Sequence, residues 1–548
     1  MTRVPRAALV AGVLCAALAC VPTAWYAETF AHPARVEKLS GAIPEATVNG
    51  AVAFRAALAA GALLIPLWSL VLARMCEGAR QVRMRPLWPT TRPGWLVLGA
   101  ITGVGAIVRM TLATQSLWYD EISAFLSFAI EGPGVAFGSY VVPTNHVPMT
   151  LATWAAWTLS GGSLNELVLR APALMAGVAA IPVGYALAAT VLPRRIAWLG
   201  ALAVAAAPIA VLESVEARGY AFVILAALLA ALAYARAMRT RAMADYVLFA
   251  CACAFGAWAH PVAILVPFSA GLIGLVRDRR LAVAALLSGT IAAILLAPLS
   301  GDVLATKRDY LQSVTDQPTI FSREGYEALL VPTLSWSGTW LSWPNLLLTA
   351  TVSAGLAAMT RRARVRIVLM PLALALLLAP LCSLALGTWI YARFVLFALP
   401  IGILAIASAG AATRRRVGLV ALVVLFGSKD GLIGYRVKQR IRDAVAIVAV
   451  QRAADDRVAT IGLPDNAVGF YAQQFGFDAT PTGFLGKDFA AVAARESPRF
   501  VVVLYPDRVA EEILQSLDVG YDRTHVLEGW ADWGAGTVEI WARPVTAR

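Results

Sequence analysis

The sequence predicts an all-α polytopic membrane protein of about 13 transmembrane helices, with a small α/β domain at its C-terminal end outside the membrane. Three observations predict it. Of the 548 residues, 59% are hydrophobic and 14% charged, with mean hydropathy +0.70, whereas a soluble domain is roughly 45–50% apolar and about 25% charged. Apolar stretches long enough to cross ~30 Å of hydrocarbon recur up to residue 433. After that point the composition changes to short alternating runs separated by Pro, Gly and Asp.

The formal net charge of +13 would suggest a nucleic-acid partner in a soluble protein. Here its distribution says otherwise. The residues from Gly434 on carry 13 Lys/Arg and 15 Asp/Glu, while the first 433 carry 33 and 18. The excess positive charge thus lies between apolar segments and is not interleaved with aromatics in a stripe, which excludes nucleic acid. Cys15, Cys20, Cys251, Cys253 and Cys382 lie in apolar runs and Cys76 in a basic loop, so no external disulfide is offered. Cys251 and Cys253 are too closely spaced for a usual zinc pair and read as packing.

The expected spans are 7–27, 51–73, 95–113, 168–192, 196–212, 219–237, 243–260, 261–276, 280–299, 337–359, 367–388, 394–412 and 416–433. With the N-terminus inside, every short basic cluster falls on the cytoplasmic side: Arg3/Arg6, Arg74 to Arg92, Arg194/Arg195, Arg236 to Arg241, Arg277 to Arg280, Arg361 to Arg366 and Arg414 to Arg416. Most acids, including Asp120, Glu121, Glu213, Glu216 and Asp302, fall opposite. Residues 147–160 are apolar but too short, and counting them as a span would invert every later cluster. They are expected as a helix lying along or dipping into the outer face. The odd count leaves the C-terminus outside. The organisation expected is therefore an N-terminal hairpin with its basic loop (1–94), a transmembrane domain (95–433) and an extracytoplasmic domain (434–548). In the last, strands are expected at Val458–Gly462 and Phe500–Tyr505 and helices at Arg442–Ala454 and Arg508–Leu517.

Several polar residues meet the outer face without an obvious packing reason. Leu117-Trp118-Tyr119-Asp120-Glu121 puts two adjacent carboxylates just beyond a span. They are either solvated loop acids, or a base placed at the water–lipid boundary to take a proton from a hydroxyl. Thr144-Asn145-His146-Val147-Pro148 opens the interfacial helix, with Thr144 or Asn145 as its cap and His146 as one of only four histidines. Glu213-Ser214-Val215-Glu216-Ala217-Arg218-Gly219-Tyr220, His260-Pro261 and Tyr391-Ala392-Arg393-Phe394 complete the set. Taken singly, Arg218 could pair with Glu213 or Glu216, and Arg393 could reach for headgroups. Together, carboxylates with Arg and His on one face suit a phosphate leaving group in the lipid and a hydroxyl nucleophile from water.

These motifs, with Leu169-Arg170-Ala171-Pro172-Ala173-Leu174 and Ala259-His260, resemble in their order the GT-C class of membrane glycosyltransferases. The likeness is to the bacterial branch near protein O-mannosyltransferases and lipid A aminoarabinose transferases, over about residues 95–433. The resemblance implies a GT-C fold in a bacterial inner membrane and a polyprenyl-phosphate-linked sugar donor, mannose by default. The acceptor would be a hydroxyl of a glycan, lipid or protein on the outer side. It implies Asp120 as the base, with Glu121 as the alternative base or acceptor guide, and inversion at the anomeric carbon. Arg218, His260 and Arg393 would hold the donor phosphate, and Tyr119, His146, Glu216, Tyr220 and Tyr391 would line the substrate. Some members of the class use a divalent cation near the acid and others none, so no metal is assigned. The chain differs from the class in its extra N-terminal pair of spans, in His146-Val147-Pro148 where a second proline of a His-Pro-Pro motif is often expected, and in Phe394 where many have tyrosine. The loop at 300–335, with Lys307, Arg308, Asp309 and Tyr310, is the expected place for acceptor specificity. A polyprenyl-linked sugar or lipid transporter is the alternative, but transporters usually carry their ionisable groups near the midplane and show inverted repeats. A catalytically inactive receptor or scaffold is the other alternative, against which the Asp120–Glu121 pair argues.

Overall fold

The computed structural model describes residues 4–78, 86–305, 356–359, 363–386, 392–412, 437–463, 466–530 and 536–544. The spans expected at 416–433 and, in nearly its whole length, 337–359 lie outside these residues, as do the 306–335 part of the specificity loop and Tyr391. The chain forms two compact units. One comprises residues 1–112, 131–163 and 168–434, the other 113–130, 164–167 and 435–548.

The first unit is helical. Six of its described helices are long and apolar enough to cross a membrane: Glu45–Cys76, Arg92–Leu112, Glu166–Val191, Tyr220–Thr240, Arg279–Ala305 and Val365–Cys382. At 1.5 Å per residue, a 21-residue helix reaches about 31 Å. Met243–Ala259, Pro261–Arg277 and Arg393–Ala409 are shorter apolar helices. The expected interfacial segment is the 13-residue helix Val147–Leu159, about 20 Å long and too short to cross.

Two expected spans are not continuous. Residues 7–27 break after Ala19, and the following Thr23–Phe30 helix turns through 89°. Pro22, without an N–H, stands at the break as its N-cap. Residues 196–212 break at Ala207, which is extended (φ −59°, ψ 117°) between the helices Trp198–Ala206 and Pro208–Leu212. In an unbroken helix the Val204 carbonyl would accept from residue 208, and proline has nothing to donate. Arg109, fully buried on the Arg92–Leu112 helix, repairs this. Its Nη2 donates to Val204 O at 3.0 Å, Nη1 to Ala205 O at 3.3 Å and Gly105 O at 3.1 Å, and Nε to Ser214 Oγ at 2.8 Å. An unsatisfied carbonyl away from water costs on the order of 1–3 kcal/mol, so this arginine makes the broken span tolerable.

Contacts inside the unit sort the loops as the charge pattern does. The Asp302 carboxylate, 1% exposed, takes Arg35 Nη1 at 2.6 Å, Tyr140 N–H at 2.8 Å and Ser139 Oγ at 3.2 Å. All four residues lie in loops expected on one side. At the other end Arg236 pairs with Asp245 at 2.6 Å, Tyr246 Oη donates to Asp278 at 2.6 Å and Arg280 Nε to Met75 O at 2.8 Å. The N-terminal hairpin is packed by an aromatic cluster, Tyr26, Phe30 and Phe54, with Phe137 against it.

The second unit holds a five-stranded mixed sheet of order β2-β1-β3-β5-β4. Its strands are β1 Val458–Gly462, β2 Ala479–Phe484, β3 Phe500–Leu504, β4 Asp522–Leu527 and β5 Val538–Ala542. β1 pairs in parallel with β2 and β3, while β5 is antiparallel to β3 and β4. Ile461, Val501, Val503 and Trp541 form a core with Phe489, Val492 and Leu517 from the helices Phe489–Glu496 and Glu511–Gly520. The expected helix at 442–454 is Ile441–Gln451, and that at 508–517 begins later, at Glu511, after a short 3-10 turn at Pro506–Arg508.

Arg109→Met leaves the Val204 and Ala205 carbonyls unsatisfied and should cost at least about 2 kcal/mol. The expected readout is a lower unfolding midpoint in detergent, only partly recovered by Arg109→Lys, whose single ammonium cannot reproduce the planar fork. An unchanged midpoint for the Met variant would refute this role.

Candidate functional site

The first unit gathers four of the expected site residues around one phenol ring. His146 is the N-cap of Val147–Leu159 (φ −96°, ψ 86°) through its backbone, with no side-chain cap bond. Asn145 and Thr144, expected as caps, do not serve as one. Asn145 instead ties down the loop before the helix: Nδ2 donates to Ala136 O at 2.9 Å and Ser139 O at 2.8 Å, and Oδ1 accepts from Thr150 at 2.8 Å. This fixes the entry of His146, whose Nδ1 lies 3.0 Å from the Ala259 carbonyl. A carbonyl only accepts, so Nδ1 carries the hydrogen and Nε2 of the neutral ring is the acceptor.

Ala259 ends the helix Met243–Ala259, and His260 follows it in an extended conformation (φ −155°, ψ 120°) before Pro261. Its ring stacks on His146 at 5.8 Å between centroids and lies 5.6 Å from Tyr220, which is itself 4.8 Å from His146. Phe394 covers His260 at 4.5 Å, so the residue that replaces the usual tyrosine packs on a site histidine. The guanidinium carbons of Arg218 and Arg393 lie 5.9 and 5.5 Å from the Tyr220 ring centroid, each within cation–π range.

The residues 213–220 form a buried turn: Glu213 and Glu216 are 2% exposed, Ser214 0%, Arg218 3% and Tyr220 2%. The turn can lie this close because Gly219 has no side chain. A Cβ there would meet His146 Cβ at 2.8 Å, His146 Nδ1 at 2.9 Å and Ala259 O at 3.0 Å. Ser214 at its start is held by Arg109, a residue that the sequence pattern hides inside an apolar span.

Electrostatics follow from this crowding. Burial, with Arg218, His260 and Arg393 nearby, holds His146 well below the usual imidazole range. Burial and the same two arginines push His260 down to about 3. Both rings are therefore neutral acceptors or donors at pH 7, and the positive charge belongs to the arginines.

The paired acids lie in the second unit. Tyr119–Ala124 is a short helix entered through Trp118. Glu121, 2% exposed, turns its Oε2 back to accept the Trp118 N–H at 3.1 Å, as the acid of a capping box does. Asp120 remains half-exposed. The two carboxylates thus differ in burial, and Glu121 closes the helix start. Tyr119 is buried, with its N–H donating to Gln439 Oε1 at 2.9 Å. Among the described residues no three His, Cys, Asp or Glu side chains come together as a metal site.

No protein-family model matches the chain, and no curated protein matches it in sequence. Solved structures do match in shape. The apo structure of ArnT from Cupriavidus metallidurans aligns with a TM-score of 0.51 at 13% identity, covering 82% of this chain and 98% of that one. The same protein bound to undecaprenyl phosphate gives 0.49 at 16% identity, over 83% and 99% of the two chains. An oligosaccharyltransferase from Archaeoglobus fulgidus, in complex with Zn and sulfate, gives 0.45 at 14%, over 82% and 74%. The chain has the fold of ArnT, the GT-C fold that its motifs led us to expect.

Two outcomes are expected of this cluster. Gly219→Ala forces the His146 ring and the Ala259 backbone apart and should destabilise by about 1–3 kcal/mol, read as a lower unfolding midpoint. The depressed histidines also make stability depend on pH. An unfolded histidine takes a proton near pH 6.5, while His260 in the fold resists it down to about 3. Stability is then complete above pH ~6.5 and declines as pH falls toward 3. His260→Leu should flatten that decline, measured as unfolding midpoints across pH 4.5 to 8.

Proposed function

We propose that this protein is a membrane glycosyltransferase that takes a sugar from a polyprenyl-phosphate-linked donor and gives it to a hydroxyl acceptor on the extracytoplasmic side. The observation that carries the reading is the convergence of Arg218, Arg393, His146 and His260 on Tyr220. Each stands at or next to the end of an apolar helix rather than mid-span. Such a cluster suits a phosphate delivered from the lipid, with two permanent cations to bind it and neutral rings to hydrogen-bond it. The helix Tyr220–Thr240 starts within it, adding the anion preference of a helix N-terminus. The fold shared with ArnT agrees with this reading.

The reaction is a single displacement with inversion. Asp120 accepts the acceptor's hydroxyl proton as the oxygen attacks the anomeric carbon through an oxocarbenium-like state. The bond from that carbon to the phosphate oxygen breaks, and polyprenyl phosphate leaves with the electron pair. Arg218, His260 and Arg393 stabilise its negative charge. His146, Tyr220, Glu216 and Tyr119 take part in holding the sugar and acceptor. The engagement of Glu121 in the helix cap favours Asp120 as the base. Mannose is the default sugar through the family resemblance, and the N-terminus is cytoplasmic by the charge pattern. The concentration of Arg218 and Arg393 at helix ends, rather than near a midplane, favours an enzyme over a transporter.

The test uses purified protein in lipid with labelled polyprenyl-phosphate-mannose, with and without a crude envelope extract as acceptor. Extract-dependent release of polyprenyl phosphate is expected, and Asp120→Asn should lower kcat by about 10²- to 10⁴-fold. Arg218→Ala and Arg393→Ala should weaken donor use, chiefly in kcat/KM, because they remove charge from the leaving phosphate. Release that survives in Asp120→Asn would contradict the assignment of the base.

A further inference from the structure

The acid-bearing turn belongs, by its contacts, to the same unit as the C-terminal sheet. These contacts are specific and buried. The Leu117 N–H donates to Tyr471 Oη at 2.7 Å, and that hydroxyl donates to Glu166 Oε1 at 3.0 Å. Arg442 reaches the same oxygen at 2.7 Å, and its backbone N–H donates to Ser116 Oγ at 3.1 Å. Tyr471 and Leu117 are both 0% exposed. One residue past Trp118, the Tyr119 N–H is held by Gln439, also 0% exposed. Lys438 Nζ sits 4.0 Å from the Trp118 ring centroid and 5.1 Å from that of Trp530. Tyr119 packs edge-on to Tyr505, and Phe125 to Phe470. The backbone on both sides of Trp118, immediately before Asp120, is thus bonded to residues more than 300 positions away.

The segment that presents Lys438 and Gln439 is itself wedged. Trp530 N–H donates to Lys438 O at 2.8 Å. A Cβ at Gly529 or Gly536 would come within 2.3 or 2.4 Å of the same oxygen. Only glycines let these chains meet.

We infer that the C-terminal domain positions the catalytic turn, with Tyr471 and Gln439 as positioning residues for Asp120. The inference rests on Asp120 being the base in the proposed reaction. A general base must be held within hydrogen-bond reach, about 2.6–3.2 Å between heavy atoms, of the group whose proton it takes, and a short six-residue helix cannot hold that geometry by its own bonds. Amides bonded to side chains of a folded sheet domain supply the missing rigidity.

The test compares Tyr471→Phe and Gln439→Leu with wild type in the full-length protein in lipid. Tyr521→Phe is the control: it also removes a buried tyrosine hydroxyl of this domain, one that donates to Pro498 O at 3.0 Å and makes no contact with the turn. Two quantities are read: amide hydrogen exchange over residues 113–124, and turnover of labelled polyprenyl-phosphate-mannose. Exchange there should quicken about tenfold in the two variants. Turnover should fall about tenfold in kcat with donor KM unchanged, since Arg218, His260 and Arg393 are intact. The control should match wild type in both. Unchanged exchange, or faster exchange with wild-type kcat, overturns the inference. Asp120→Asn measured alongside separates the two levels. If it keeps turnover, the base assignment falls and the positioning role with it. If it is inactive while Tyr471→Phe is not impaired, only the positioning role falls.

Discussion

Backbone carbonyls that water cannot reach must find donors inside the protein, and the bonds from Arg109 to Val204 and Ala205 are where this constraint bears hardest on the fold. Pro208 removes the donor that Val204 would otherwise have. The same guanidinium also binds Ser214, so one buried cation both closes the broken span and anchors the turn that carries Glu216, Arg218, Gly219 and Tyr220. A charge inside an apolar unit is expensive. Here its donors are spent on backbone oxygens and one hydroxyl.

The helical unit gathers its polar candidate residues at the ends of its helices. Breaks at His260-Pro261 and before Val147-Pro148 bring two imidazoles together, and crowding keeps both neutral. The arrangement separates tasks by residue type: arginine for permanent charge, histidine for directional hydrogen bonds, tyrosine as the surface on which both rest. A glycine is required where the turn and the His146 ring meet, because any side chain would occupy the space of the ring. Asp302 connects the N-terminal hairpin to the same region through Arg35 and Tyr140, which gives the extra pair of N-terminal helices a structural part in holding the loop before His146.

The acids follow a different logic. The start of a helix needs acceptors for its orphan N–H groups, and Glu121 at the third position reaches back to the Trp118 N–H. Asp120 stays half-exposed. The bonds that hold their turn come from a domain encoded some 300 residues later, from Tyr471 on the helix Ala467–Gln474 and Gln439 just before Ile441–Gln451.

The sequence by itself determined the material of each part: apolar spans, the sorting of basic and acidic loops, the alternating tail, and the polar motifs at one face. These rest on composition and on periodicities of a few residues, which are local and survive without coordinates. Val458–Gly462, apolar except for Thr460, and the wholly apolar strand beginning at Phe500 were legible because they are short runs buried in the interior of the sheet. Asp522–Leu527, an edge strand with mostly exposed side chains, carries no such signal. Only the tertiary structure decided the breaks at Pro22 and Ala207, the capping bond of Glu121, and the contacts of Arg109, Tyr471 and Gln439. Each of these depends on which distant group satisfies a particular buried donor or acceptor, and no pattern along the chain records that partner.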